Sequence, residues 1–474
     1  MKLIKNMAYS TVYQLLTVLL PLVTIPYVSR VLGPEGIGIN AYTAAAVSYF
    51  MLFANLGIQM YGNREIAYQQ ANKHEKSRLF YELIILKVLM GLLSLLAYFF
   101  FTFFQKNWQF LYLLQSIQLL AVMFDISWYF MGTENFKILT IRNSLIKLLL
   151  ILLIFIFVRR SEDLWLYIFL MAMTTFLGNL SVWPFLRKEI SKVSFRELKV
   201  RRHLKATLLL FLPQIIIQIY LSINKTMLGL MQGMEAAGFF TQSDSIVRVA
   251  YTLTSSFSAA FLPRLSSLFS KEKSEEVKNL TLKSLELMNA TSFWAIALLM
   301  GVSSSFASYF FGKEYLSVSS LIFVESLVIL FISWGNVFGS QYLLASRKMS
   351  VYFMSSVLGV AVNLTVNFLL IPSMGAMGAV ISTVLTELTV CLYQISSLRA
   401  IFKFSEVFGN LWKYLLSAFL CFLLVYSLDL YLSAGIFNYL LECLLGTSFY
   451  ILFLYLLKAP IFQIIQPIIL QIKK

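Results

Sequence analysis

LFYELIILKVLMGLLSLLAYFFFTFFQ, residues 79–105, is too long and too apolar to be packed away inside a soluble domain. As a helix it extends ~40 Å at 1.5 Å per residue, more than the roughly 20 apolar residues that cross a bilayer core. Runs of the same kind recur at 7–31, 37–62, 109–131, 138–158, 163–186, 206–231, 236–262, 279–309, 316–343, 349–371, 376–398, 409–430 and 436–458. The pattern predicts an all-α polytopic membrane protein with about fourteen transmembrane helices.

Composition agrees. Hydrophobic residues make up 59% of the 474 positions and charged residues 13%, against roughly half and a quarter in soluble domains. The net charge of +16 is not a nucleic-acid footprint, because its placement follows the membrane. Of the 38 Lys and Arg residues, 30 fall in segments on the side of the N-terminus and 5 on the opposite side. Positive charge collects in cytoplasmic loops, so both termini are expected in the cytoplasm. Trp108, Trp165 and Trp412 sit at expected membrane edges, where amphipathic rings settle. Cys391, Cys421 and Cys443 lie in apolar runs without metal or disulfide spacing, and His74 and His203 lie in loops. Lys2 and Lys5 precede an apolar run resembling a signal peptide, but the run continues past Val31, so it is read as a retained first helix.

The expected organisation is a six-helix lobe over 1–186, a basic cytoplasmic linker over 187–205, a second six-helix lobe over 206–398, and two further helices with a cytoplasmic tail over 399–474. A weak internal repeat supports two lobes. Gly33-Pro34-Glu35-Gly36-Ile37-Gly38 is echoed by Gly233-Met234-Glu235-Ala236-Ala237-Gly238, and Gln14 by Gln214. Two related lobes are a transporter architecture, with substrate bound between them.

Ionisable groups inside a bilayer cost about 2.5–3.5 kcal/mol each at its centre, and persist when they face protein or water. Here they are Lys87, Asp125, Lys225, Asp244, Arg248, Glu325 and Glu387. Arg248 lies ~18 Å along its helix, near the midplane. Asp244 is four residues before it, on the same face. Lys225 is closer to an outer end, while Lys87 and Asp125 read as structural. Polar stripes at helical spacing add Gln214, Gln218 and Ser222 on one run, Glu325, Ser333 and Asn336 on another, and Ser355, Gly359, Asn363 and Asn367 on a third. One stripe alone reads as interhelical hydrogen bonding. Several stripes with buried charge read as a hydrated cavity for an amphiphile with an anionic head. In it Arg248, Lys225 and Arg30 meet the anion, Gln14, Gln214, Gln218, Asn336, Asn363 and Asn367 line the walls, and Asp244, Glu325 and Glu387 are candidates for ion coupling. No phosphate-binding GxxxxGK[ST] loop, zinc helix or serine elbow occurs, so no cofactor or catalytic residue is expected. A gradient of H⁺ or Na⁺, or the membrane potential, is the expected energy source.

Three motifs resemble the polysaccharide-exporter branch of the multidrug/oligosaccharidyl-lipid/polysaccharide transporters, including the Wzx-type O-antigen and capsule flippases. They are Ser29-Arg30-Val31-Leu32-Gly33-Pro34-Glu35-Gly36-Ile37-Gly38, Tyr61-Gly62-Asn63-Arg64-Glu65-Ile66 and Trp128-Tyr129-Phe130-Met131-Gly132-Thr133-Glu134. The resemblance spans essentially the whole chain. It implies a twelve-helix two-lobed core with two added helices, alternating access, and an undecaprenyl-diphosphate-linked oligosaccharide as cargo in the bacterial cytoplasmic membrane. Polysaccharide polymerase and chain-length machinery are implied partners beside membrane lipids. Many relatives have Gln where this chain has Met131, so no polar role transfers there. Arg30 is then placed near the outer mouth, while Arg64 reads equally as an inner-face structural charge. The rival expectations are an ion-coupled multidrug exporter of the same fold and a polysaccharide polymerase or ligase. The latter is opposed by the short outer loops.

Overall fold

The computed structural model describes residues 2–187, 189–256 and 261–464, with side chains from residue 20 onward except those of residues 213 and 217. Gln14 therefore has its side chain outside the described residues, as do Lys2 and Lys5; Lys188, Lys473 and Lys474 lie wholly outside them. The chain separates into two compact units, residues 1–229 and 230–474.

The first unit holds α1 (Lys2–Asn55), α2 (Ile58–Tyr68), α3 (Lys73–Phe103), α4 (Gln109–Met123), α5 (Ser127–Gly132), α6 (Phe136–Phe157), α7 (Leu164–Leu180), α8 (Trp183–Leu186) and most of α9 (Leu204–Met231). The second holds α10 (Met234–Ser256), α11 (Phe261–Ser270), α12 (Ser274–Phe311), α13 (Val318–Glu325), α14 (Val328–Gly335), a π-helical turn (Asn336–Leu343), α15 (Met349–Met374), α16 (Ala376–Ser397), α17 (Phe404–Phe408), α18 (Leu411–Tyr431) and α19 (Ile436–Leu456). The seventh long helix, expected to open the second lobe, thus packs with the first. Ser48 meets Ser222 at 3.1 Å and Tyr49 meets Thr226 at 3.4 Å, joining α9 to α1.

Among the described residues, eleven helices are long and apolar enough to cross a membrane, or twelve if the bent pair around residue 213 is one span. The expected count of about fourteen is not reached by this measure, for two reasons besides the bend in α9. The first two runs join in one element broken at Gly33, and α10 carries Glu235, Thr241, Gln242, Ser243, Asp244 and Arg248, too much polarity for a span by composition. Lipid dictates the outside of these bundles: Leu93, Leu96, Phe100, Leu152, Phe368 and Leu444 are exposed, as apolar residues facing hydrocarbon should be.

Inside, aromatic rings and small residues set the packing. In the first unit Phe80 stacks on Trp128 at 5.6 Å and meets Trp183 edge-on at 6.2 Å. Gly62 lets α2 close on that cluster, since a Cβ there would sit 2.5 Å from the Trp128 ring; Gly132 lets α5 approach Ile66 in the same way, at 2.8 Å. The second and third motifs are therefore the two halves of one α2–α5 contact. In the second unit Trp334 donates its indole N–H to Asn289 at 2.8 Å, and Ser292 meets Ser333 at 2.8 Å.

The first motif is a helix break. Gly33 has φ 68° and ψ 173° within α1, followed by Pro34, a conformation essentially restricted to glycine. Gly233, its counterpart in the internal repeat, also has positive φ, at 93°. Gly33→Ala is expected to destabilise the protein by about 1–3 kcal/mol, read as a lowered unfolding midpoint in detergent. An unchanged midpoint would mean that the break tolerates a side chain.

Candidate functional site

Polar groups gather in the first unit where α4 stops at Met123 and α5 restarts at Ser127. The Lys87 side chain is fully buried and holds this break. Its ammonium donates to the Asp125 carbonyl at 2.7 Å and lies 3.9 Å from the Asp125 carboxylate. Asp125 also accepts from the Ser127 backbone N–H at 2.9 Å and from the Ser127 hydroxyl. A buried ion pair needs such extra hydrogen bonds to offset its desolvation.

Asp125 faces a cavity of about 430 Å³ whose other polar walls are Ser48 and Asn55 of α1, Gln59 of α2, and Gln214 and Gln218 of α9. Gln218 donates to Ser222 at 2.9 Å, and Ser222 meets Ser48. Gln59 donates to Ser127 at 3.4 Å, while its carbonyl oxygen is buried with no hydrogen-bond partner among the described residues. An unanswered acceptor beside an open space suits a ligand hydroxyl or water. Gln214 and Gln218 both line this cavity. Ser48, Asn55 and Gln59 were overlooked, although their spacings of seven and four are a helical signature. Asp125, read as structural rather than functional, both braces the break and lines the cavity. Arg30 is exposed on α1, and Lys225 is half-buried on α9.

In the second unit Arg248 donates to Asp244 at 2.7 Å, the pairing expected from their spacing; Arg248 keeps 38% of its side chain exposed and Asp244 only 10%. The neighbouring Ser243 hydroxyl donates to Glu325, which is 1% exposed and so links α13 to α10. Glu387 lies half-buried on α16, within electrostatic reach of Tyr251.

Three expected wall residues of the second unit sit in hydrogen-bond networks. Asn363 and Asn367 are completely buried. Asn367 donates to Asn363 at 3.0 Å, and Asn363 donates to Ser382 of α16 at 3.2 Å. Asn336 accepts from Gln341 at 2.9 Å, and Gln341 in turn accepts from Ser284 at 2.7 Å, which ties the π-turn to α12. Asn363 thus bridges α15 to α16, whereas Asn367 donates within α15 and Asn336 accepts within the π-turn.

The linker after α8 is clamped to the first unit. Glu82, fully buried in α3, accepts from the Lys199 backbone N–H at 2.6 Å and from Arg202 at 2.6 Å, and lies 2.8 Å from His203. Tyr61 of the second motif closes the network on the other His203 nitrogen at 2.8 Å. Arg64 pairs with Glu65 at 3.0 Å and is half-exposed, which fits its structural reading.

A bundle of apolar-coated helices with polar groups turned inward is the build of a membrane transporter, and known structures share it. The lipid II flippase MurJ, in an inward closed conformation, superposes with a TM-score of 0.75 at 15% identity, covering 94% of this chain and 98% of MurJ. An inward-facing multidrug resistance MATE transporter of the MOP superfamily superposes with a TM-score of 0.64 at 17% identity, covering 82% and 96%. These likenesses establish the MOP fold. Residues 3–269 match the polysaccharide biosynthesis protein family, and the chain belongs to that family. A protein of Escherichia coli (strain K12), provisionally named an O-antigen transporter, is 26% identical over 395 residues, 81% of this chain and 93% of its own length. The capsular polysaccharide biosynthesis protein CapF of Staphylococcus aureus is 26% identical over 155 residues, 33% of this chain and 39% of its own.

Wall and glue positions are expected to separate on substitution. Asn363→Leu strands its partners and should cost about 1–3 kcal/mol of stability. Gln218→Leu, on a cavity wall, should change stability by less than about 1 kcal/mol. Chemical or thermal melts of both variants check this, and equal losses would contradict the distinction.

Proposed function

We propose that this protein is a flippase that moves a lipid-linked oligosaccharide repeat unit from the cytoplasmic to the outer leaflet of the bacterial cytoplasmic membrane, with both termini in the cytoplasm. The carrier is undecaprenyl diphosphate, and translocation proceeds by alternating access. The observation that carries the reading is the cavity whose walls set amides, hydroxyls and the Asp125 carboxylate among Met51, Leu52 and Val122, inside a bundle coated with lipid-facing side chains. Gln59, Gln214, Gln218, Ser48 and Asn55 offer donors and acceptors of the kind that sugar hydroxyls use. Lipid cannot use such groups, and burying them without partners is costly. Family membership and the relatives named for O-antigen and capsule support the same cargo.

The residues divide the work. Arg248, which is paired with Asp244 and 38% exposed, is the guanidinium assigned to a phosphate oxygen of the cargo. Lys225 and Arg30 are further cationic contacts for the diphosphate. The apolar coat leaves the polyprenyl tail in the bilayer. Nothing in this scheme breaks a covalent bond; the protein acts as a transporter, with an ion gradient or the membrane potential as its source of energy. After translocation, the repeat unit passes to a polymerase and chain-length machinery outside.

Deleting the gene and mapping polyprenyl-linked intermediates by mass spectrometry and leaflet accessibility tests the reading. Complete repeat units should accumulate on the cytoplasmic face, and the wild-type gene should clear them. Arg248→Ala should insert at normal levels yet export at least about tenfold more slowly, the scale of losing one desolvated charge contact. Unpolymerised units already outside would point to a polymerase. Normal glycan export with loss of cation extrusion would point to the drug exporter.

A further inference from the structure

A second polar cluster lies away from these residues, where α12, α18 and α19 meet. Gly301 and Gly446 allow the three helices to close: a Cβ at Gly301 would lie 2.6 Å, and one at Gly446 2.5 Å, from the Val425 methyl groups. One helical turn from that contact, each helix turns oxygen inward. Ser304 and Ser305 come from α12, Asp429 from α18 and Glu442 from α19. By the loop charges, this turn lies toward the outer face of the membrane.

The donors are all used on one side of the cluster. The Ser304 and Ser305 hydroxyls donate to the two carboxylate oxygens of Asp429. Tyr439 lies 2.7 Å from the Ser305 oxygen and, with the Ser305 proton committed, is its donor. Nothing is left for Glu442. It is 1% exposed, and its Oε2 has no hydrogen-bond partner among the described residues. Asp429 is 6% exposed and near enough to act on Glu442 electrostatically. The remaining titratable neighbours are Tyr309 of α12, whose ring is 5.5 Å from that of Tyr439, and Cys443 of α19. No Lys, Arg or His pairs with either carboxyl among the described residues.

Two buried carboxylates without a basic partner are unstable as a doubly ionised pair, because each would keep a desolvation cost of several kcal/mol. One shared positive charge removes most of that cost. Other buried acids in this protein already have cations or donors, as Glu82, Asp125 and Asp244 do. We infer that Asp429 and Glu442, with the oxygens of Ser304, Ser305 and Tyr439, form a binding site for one monovalent cation, a proton or Na⁺, between α12, α18 and α19. The site stands on its own geometry and holds whether or not the cargo is a lipid-linked glycan.

Thermal unfolding of the purified full chain in detergent tests it, in choline chloride, KCl and NaCl at about pH 5.5 and about pH 8, spanning the range where a shared carboxyl proton titrates. Wild type should gain about 2 °C or more from Na⁺ at the higher pH, or from acidification without Na⁺. Glu442→Gln keeps the side-chain shape and offers Asp429 an amide donor, so it should fold without needing the cation. It should flatten the response, and Asp429→Asn should do the same. A Na⁺ response lost in the variants assigns sodium; an acid response lost assigns the proton. Glu442→Gln responding to both treatments as wild type does, or a wild type that responds to neither, overturns the site.

Discussion

Every polar group in this protein that leaves water must find its partner inside the protein, because hydrocarbon offers none. That requirement shapes both units. Lys87 reaches the carbonyl and carboxylate of Asp125, Arg248 lies against Asp244, and Glu82 gathers Lys199, Arg202 and His203. Helices that carry these groups can cross or edge the membrane only in the arrangement that brings the partners together. The apolar coat alone would allow many rotations of each helix; the buried polar pairs choose one.

Small residues make those pairings reachable. Gly62 and Gly132 bring α2 and α5 into contact, and Gly301 and Gly446 bring α12, α18 and α19 together. Close backbone approach takes the place of the hydrophobic drive that lipid removes. Breaks do the rest. Gly33, with its positive φ before Pro34, splits a 54-residue helix, and the gap between α4 and α5 turns Asp125 toward the cavity. Gly33 lies in the first motif, and Gly62 and Gly132 lie in the second and third, so these motif glycines record helix geometry.

The polar surfaces that remain after this internal satisfaction are the candidate functional surfaces. In the first unit they are the amides, hydroxyl and carboxylate on the walls of a cavity beside the unanswered Gln59 oxygen. In the second they leave Arg248 partly exposed and Glu442 buried without a donor. A sugar head, a phosphate and a cation differ in just these demands: many neutral hydrogen bonds, a fixed guanidinium, and clustered carboxyl oxygens. The family assignment and the physical reading of the walls converge on glycan traffic across the membrane.

The amino-acid sequence by itself determined the class of protein, its family motifs and the Asp244–Arg248 pair. Hydropathy, charge bias and an i, i+4 spacing are local properties that survive without coordinates. It also made Gln214 and Gln218 legible, because a polar stripe on one helix face must meet something other than lipid. What that something is belongs to tertiary structure. Identical-looking stripes became a cavity wall on α9 and a helix interface on α15, where Asn363 and Asn367 are fully buried. Only packing assigned α9 to the first unit, gave Asp125 an open face, and set Glu442 beside Asp429. A one-dimensional periodicity tells which residues share a face, whereas the identity of the neighbour depends on contacts between residues more than a hundred positions apart, such as Ser304 with Asp429 or Ser48 with Ser222.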